Sequence, residues 1–67
     1  MCTKITPKSL KEHGFREYLA QNGICYINGD IIVAYDDTYW RSSTLINDNI
    51  FFLNAYYECI EQIEFYV

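Results

Sequence analysis

Apolar residues occupy both faces of the strands that the middle of this chain predicts. The segment QNGICYINGDIIVAYDD, residues 21–37, contains Asn-Gly at 22–23 and again at 28–29, and Asn-Gly is the strongest short signal for a β-hairpin turn. A two-residue loop at 28–29 places one set on one face, Ile24, Tyr26, Ile31, Val33 and Tyr35, and another set on the opposite face, Cys25, Ile27, Ile32 and Ala34. A sheet with one solvated face would alternate apolar and polar residues. The pattern therefore predicts a sheet that is covered on both sides or that associates through a bare apolar face.

A short helix precedes these strands. Thr6 can cap a helix that begins at Pro7, and Gly14 can end it in the left-handed conformation, so we predict a helix over residues 7–13. Turn signals at Asn22-Gly23, Asn28-Gly29 and Asp36-Asp37-Thr38 then divide the chain into strands at 15–20, 24–27, 30–35 and 39–45.

The last third of the chain supports two interpretations. Asn47-Asp48-Asn49 reads as a turn or as a set of N-cap candidates, and a helical stripe follows it, formed by Phe52, Ala55, Tyr56, Cys59, Ile60 and Ile63. We predict from this stripe a helix over residues 49–61 that packs on the sheet. The aromatic residues Phe51, Phe52, Tyr56 and Tyr57 favour a strand instead, and residues 62–67 either form a short strand or continue the helix. The predicted fold is α+β, a single domain over residues 1–67 in the order αββββα.

Composition and charge narrow the function classes. The formal net charge is −4, with only five Lys and Arg residues, so the basic surface of a nucleic-acid-binding protein is absent. The N-terminus has no apolar signal-peptide region, and no apolar run reaches the length of a transmembrane helix. Cys2, Cys25 and Cys59 have neither metal-binding nor redox spacing. We expect reduced thiols in a cytoplasmic protein, with Cys25 and Cys59 as small core residues.

The sequence offers no catalytic constellation. His13 is the only histidine, and its position in the last turn of the predicted helix suits a surface capping residue. No Ser or Cys lies in a nucleophile motif, Asp30, Asp36 and Asp37 lack calcium-loop spacing, and no glycine-rich loop resembles a phosphate site. We therefore expect no enzyme activity, no metal and no cofactor.

The best candidate for a binding site is an aromatic cluster around one turn, formed by Tyr35, Asp36, Asp37, Tyr39, Trp40 and Arg41. Tyr, Trp and Arg are over-represented at the energetic centres of protein interfaces. In this interpretation Trp40 is a buried anchor, Arg41 its polar neighbour, and the two aspartates lie on the rim. The alternative is that Tyr39 and Trp40 fill the core of a small protein.

The opening KITPKSLKEHGF, with Thr6-Pro7, Leu10 and Gly14-Phe15, resembles the start of small uncharacterised proteins of phages and mobile elements of gut bacteria. The segment FLNAYYECI is similar to the helix that closes those proteins. The resemblance implies no activity and suggests a small accessory protein. Together with the aromatic cluster it predicts a small cytoplasmic protein-binding module, an accessory or inhibitory protein of phage or mobile-element origin. The alternatives are a self-associating homodimer and a small enzyme or ligand-binding protein.

Overall fold

The computed structural model describes residues 2–63, which form a five-stranded antiparallel sheet with one short α-helix. In chain order the elements are α1 (Pro7–Glu12), β1 (Arg16–Ala20), β2 (Gly23–Asn28), β3 (Ile31–Tyr35), β4 (Trp40–Ile46), β5 (Asn49–Tyr57) and a 3-10 helix (Ile60–Gln62). The strands follow one another in the sheet in the order β1-β2-β3-β4-β5.

Helix α1 begins and ends as its sequence predicts. The Thr6 side chain accepts a hydrogen bond from the Ser9 N–H at 3.0 Å, and Ser9 Oγ accepts one from the Thr6 N–H at 2.9 Å. At the other end, the N–H groups of Gly14 and Phe15 donate to the carbonyls of Lys11 and Leu10 at 3.1 and 3.0 Å. This is a Schellman motif, which requires a left-handed residue, and Gly14 has a φ of 91°.

The first four strands and their faces are confirmed, but the predicted register of β2 and β3 is wrong by two residues. Tyr26 pairs with Val33 and Asn28 with Ile31, so the loop is Gly29-Asp30 rather than Asn28-Gly29. Asn28 stays in the strand, where its Nδ2 donates to the His13 carbonyl at 3.3 Å, and Gly29 adopts a φ of 62°. Because a slip of two preserves the alternation of side chains, each apolar residue still lies on its predicted face.

The predicted C-terminal helix is wrong. Residues 49–57 form β5, and a 3-10 helix is the only helix that follows within the described residues, so the α+β description with a long helix packed on the sheet does not hold. The two alternatives for residues 62–67 lie, beyond residue 63, outside the described residues. Asn47 and Asp48 have φ values of 52° and 65°, which form the tight turn that pairs Ile46 with Asn49. Once this hairpin forms, the aromatic residues of the segment gain a strand partner in β4, and the helical spacing of the apolar residues is overridden.

The two faces of the sheet are covered by different parts of the chain. On the face that we call the helix face, Tyr26 and Val33 pack with residues from outside the sheet, namely Ile5, Leu10, Phe15, Ile60 and Ile63. On the opposite face, which we call the hairpin face, a second core holds Ala20, Cys25, Ala34 and Ile50. Its buried residues from β1, β2 and β3 are small, which leaves room for the β4–β5 hairpin.

The β4–β5 hairpin closes the hairpin face by folding back onto the β1–β2 turn. The Asn22 side chain bonds both backbone groups of Ile50, accepting from its N–H at 2.7 Å and donating to its carbonyl at 3.0 Å. The Gln21 N–H donates to the Asp48 carbonyl at 2.8 Å, and the Tyr18 hydroxyl donates to the Asp48 carboxylate. The second apolar face of the meander is thus an internal core closed by a hairpin and not by a helix.

The expectation of three reduced thiols is wrong for two of the cysteines. Cys2 and Cys59 form a disulfide, with Cα atoms 5.2 Å apart, and Cys59 is therefore not a free core thiol. Cys25 is free and fully buried, as predicted, and this burial raises the pKa of its thiol. Within residues 2–63, no helix has the length and apolar character needed to cross a membrane.

Candidate functional site: an aromatic groove under an N-terminal strap

The residues before α1 form a strap, residues 2–6, that crosses the helix face and is fixed to residues 59–61. Besides the disulfide, the Ile60 N–H donates to the Thr3 carbonyl at 2.9 Å, and the Glu61 carboxylate accepts from both the hydroxyl and the N–H of Thr3. These two hydrogen bonds lower the pKa of Glu61 to about 2. Ile5, in the middle of the strap, is buried in the core. The strap is therefore part of the folded structure and can form the wall of a site.

A groove of about 450 Å³ lies between the strap and the sheet. One wall is formed by Lys4, Ile5, Thr6 and Pro7, and the other by Ile24, Tyr26, Tyr35 and Trp40. We call this the aromatic groove. A second depression of about 400 Å³ adjoins it and shares Lys4, Ile5, Tyr35 and Trp40. Thr38, Tyr39, Tyr57 and Glu58 complete the second depression.

Trp40 is the centre of the aromatic wall. Its ring centroid lies 5.7 Å from that of Tyr26 in an edge-on arrangement and 5.3 Å from that of Tyr35 at a tilt of 49°. Tyr26 is buried and donates its hydroxyl to Glu17 at 3.1 Å, whereas Tyr35 is 49% exposed. The wall thus runs from the core to the solvent, and Trp40 packs on the helix-face core and also lines the groove. Its role as an interface anchor stays a prediction.

Two of the predicted site residues build the turn rather than the groove. Asp36 accepts hydrogen bonds from the N–H groups of Tyr39 at 2.7 Å and Thr38 at 3.0 Å, and it also pairs with the Arg41 guanidinium. Chiefly through the Tyr39 N–H, and then through Arg41, these contacts lower the pKa of Asp36 to about 2. The Arg41 guanidinium also donates to the Leu53 carbonyl at 3.4 Å. The side chains of Asp36 and Arg41 therefore link the β3–β4 turn to β4 and β5.

The remaining predicted residues divide between the two depressions and the solvent. Tyr35 and Trp40 line both depressions, and Tyr39 lines the second. The Tyr39 ring centroid lies 4.6 Å from that of Tyr56, with the two rings tilted by 37°. Asp37 is exposed in the turn, with a φ of 75°.

Sequence reasoning missed the strap wall and the contribution of β2 to the groove. Tyr26 and Ile24 were placed on the same face as Tyr35 by strand alternation, so this signal was present in the sequence. No local sequence pattern predicts that residues 4–7 lie above that face, because their position depends on the disulfide and on the contacts of Thr3 with the 3-10 helix.

A second exposed apolar surface lies on the β4–β5 hairpin. Ile46, Phe51 and Leu53 share one face of the hairpin and are each about half exposed, and β5 contains no charged residue. We call these three residues the hairpin patch. Phe52 is exposed to a similar extent on the opposite face of β5, the face that carries Ile50. Among residues 2–63, no group of three or more His, Cys, Asp or Glu side chains is arranged to bind a metal ion.

Comparison of the chain with protein-family models, with curated proteins and with solved structures finds no match. The assignment to phages or mobile elements therefore stays a prediction.

Proposed function

We propose that this protein is a non-catalytic protein-binding module that holds a segment of its partner in the aromatic groove. The observation that supports the proposal is the groove itself, which has a volume of about 450 Å³, is bounded by a tryptophan, tyrosines and a proline, and lies next to the helix-face core. Aromatic side chains dominate interface energetics because they bury a large area at a small cost in conformational entropy. An exposed aromatic surface of this kind marks a binding site in a small domain.

Capture from a bacterial lysate tests the proposal. Tyr35→Ala removes an exposed groove residue, and Phe51→Ala is the matched control because Phe51 is 50% exposed and lies outside the groove. We expect Tyr35→Ala and Trp40→Ala to abolish capture, and Phe51→Ala to retain it. Circular dichroism of each variant confirms that it is folded. Capture that survives in folded Tyr35→Ala and Trp40→Ala proteins would exclude the groove as the binding surface.

The origin and compartment of the protein are parts of the same proposal. The resemblance of KITPKSLKEHGF to phage and mobile-element proteins suggests an accessory or inhibitory protein acting on a component of a bacterial host, in the cytoplasm. The Cys2–Cys59 disulfide makes the redox state of the compartment important, because disulfides persist in oxidising compartments and are rare in the cytosol. In a reducing cytoplasm the two residues would be thiols. Mass spectrometry of the protein trapped by alkylation in cells distinguishes the two states.

Self-association is the second candidate function, and the hairpin patch favours it. Exposed Phe51 and Leu53 share one face of an uncharged strand at the edge of the sheet, and a second copy could cover them in a symmetric dimer. Light scattering after size exclusion at several concentrations measures the mass. A dimer that Phe51→Lys converts to a monomer would support this function. A monomeric mass at every concentration would reject it.

A further inference from the structure

The disulfide that fixes the strap lies at the surface of the protein. Cys2 is exposed and Cys59 is half-buried, and neither residue is part of the core on the helix face or on the hairpin face. Thiol–disulfide exchange begins when a thiolate attacks one sulfur of the bond, so its rate depends on access, and exposed disulfides are the labile ones. A reductant in solution can therefore reach this part of the protein while the fold is intact.

The inner part of the strap is fixed without the disulfide. Ile5 is buried in the helix-face core, and removal of its side chain from water stabilises this position. Thr6 is held by its reciprocal hydrogen bonds with Ser9, which lie within the strap and the first turn of α1. Reduction of the bond leaves these contacts in place, so the chain from Ile5 onward should keep its position.

The start of the strap, residues 2–4, depends on the disulfide much more strongly. Thr3 retains its hydrogen bonds to the 3-10 helix after reduction, but the two that involve Glu61 are exposed to water. The Lys4 carbonyl shares the Ser9 hydroxyl with a second carbonyl, at 2.9 and 3.2 Å. Hydrogen bonds that water can replace contribute little net free energy. Reduction therefore shifts residues 2–4 towards a detached state.

Detachment of residues 2–4 changes the aromatic groove. Lys4 is a lining residue of the groove and of the second depression, so its departure removes one part of the wall, with a positive charge, from both. Trp40 lines both depressions from the sheet and is half-buried. In the oxidised protein the strap wall begins at Lys4, whereas in the reduced protein it begins at Ile5, and the ring of Trp40 becomes more accessible.

The third cysteine lies too far inside the protein to take part in the exchange. Cys25 is free and fully buried in the core of the hairpin face, whereas the strap crosses the helix face. A thiol that solvent does not reach is inert in the folded state. When Thr3 binds the 3-10 helix, it returns Cys2 to the side of Cys59, so the same disulfide forms again.

We propose that the Cys2–Cys59 disulfide is a redox switch that completes the wall of the aromatic groove when it is oxidised and opens the groove when it is reduced. This inference rests on the proposed function and adds a regulation of the same site. The signal is the thiol pool of the surroundings, with glutathione as the small-molecule reductant.

The exchange with glutathione takes two steps. The thiolate of one glutathione attacks a sulfur of the bond, which breaks and leaves one protein thiol and one mixed disulfide with glutathione. A second glutathione thiolate attacks the glutathione sulfur of the mixed disulfide and releases the other protein thiol together with oxidised glutathione. The protein gains two electrons and two protons, and the two glutathione molecules lose them. An excess of oxidised glutathione reverses both steps.

Equilibration of the protein in buffers with different ratios of reduced to oxidised glutathione tests the switch. Alkylation and mass spectrometry give the fraction of disulfide, while acrylamide quenching and the indole NMR resonance report on Trp40, the only tryptophan of the chain. The temperature is about 15 °C, close to that of greatest stability for a typical domain. We expect reversible reduction, stronger quenching of Trp40 in the reduced protein, and shifts of Lys4 and Ile60. The resonances of Ile50, on the hairpin face, should not move.

Two variants separate release of the strap from other effects of the reductant. Cys2→Ser, Cys59→Ser should give the reduced spectrum at every glutathione ratio. Glu61→Ala removes the acceptor of two Thr3 hydrogen bonds, so in the reduced protein it should shift the strap towards the detached state by about tenfold. The same variant should leave the groove of the oxidised protein unchanged. Glu12→Ala is the matched control, since Glu12 is exposed in α1, and it should have no effect in either state.

Three results overturn the inference. The disulfide could resist a large excess of reduced glutathione, the reduced protein could keep the same Trp40 quenching and groove resonances, or reduction could abolish the whole folded spectrum. Capture from a lysate cleared of small thiols keeps the inference apart from the proposed function. Capture that depends on Tyr35 and Trp40, but is equal for the oxidised protein and the double serine variant, overturns the inference alone. Capture that is independent of those two residues, while reduction still opens the groove, overturns the proposed function alone.

Discussion

The Cys2–Cys59 disulfide is expected to supply a large part of the stability of this protein. The bond joins residues separated by 57 positions, so it closes a loop that includes almost the whole chain. In the chain-entropy model, closing a loop of this size raises the free energy of the unfolded state by about 4 kcal/mol. A domain of this length has a total free energy of unfolding of only about 3–10 kcal/mol. The reduced protein should therefore be close to the limit of folding.

Urea denaturation with and without a dithiol reductant measures this contribution. We expect reduction to lower the free energy of unfolding by about 4 kcal/mol, and to lower the melting temperature by about 15–30 °C. The double variant Cys2→Ser, Cys59→Ser should match the reduced protein and should not respond to the reductant. The double variant retains Cys25, so it also tests whether the reductant affects stability through this buried, free cysteine, and we expect no such effect.

A second readout distinguishes global destabilisation from a local effect on the strap. Because the strap forms one wall of the aromatic groove, release of Cys2 should alter the environment of Trp40 even at temperatures where the reduced protein is folded. A change of less than about 1 kcal/mol on reduction would refute the loop-closure argument. It would show that the unfolded chain is already compact without the covalent bond, so that reduction releases little additional conformational entropy.

Three further predictions follow from individual contacts. Asp36 and Glu61 have pKa values of about 2 in the folded protein, below their ordinary values of 3.8 and 4.5. The stability that these two carboxylates add is therefore complete above pH ~4.5 and is lost as the pH falls towards ~2. In an acid titration, the free energy of unfolding of the Asp36→Asn and Glu61→Gln variants should depend less on pH in this range. Asn22→Ala removes both hydrogen bonds to the Ile50 backbone and leaves that carbonyl and N–H unpaired, which should cost about 1–3 kcal/mol in urea denaturation. The Cys25 thiol should react with a thiol reagent only at the rate of unfolding, since it is fully buried with a raised pKa; rapid labelling of the native protein would contradict the burial.

Local chemistry determined the N-terminal half of the fold. Thr6, Pro7 and Gly14 specify the start and end of α1 through bonds to their own neighbours, so their effect does not depend on the rest of the chain. The turn residues and the alternation of β2 and β3 likewise assigned each apolar side chain to its face. The sequence left the exact register open, because Asn28-Gly29 and Gly29-Asp30 are both acceptable turns. In the register that forms, Asn28 stays in β2 and contacts His13.

Only the tertiary structure decided the C-terminal half and the site. Residues 49–57 fit a helical stripe and a strand almost equally well, and their pairing with β4 selected the strand. The aromatic cluster could be predicted from the sequence, since Tyr35 and Trp40 flank one turn and pair across it. The opposite wall of the groove could not, because residues 4–7 reach it through a bond between Cys2 and Cys59, near the two ends of the chain. Contacts within a few residues are encoded in local patterns, whereas contacts between distant residues depend on the energy of the whole fold.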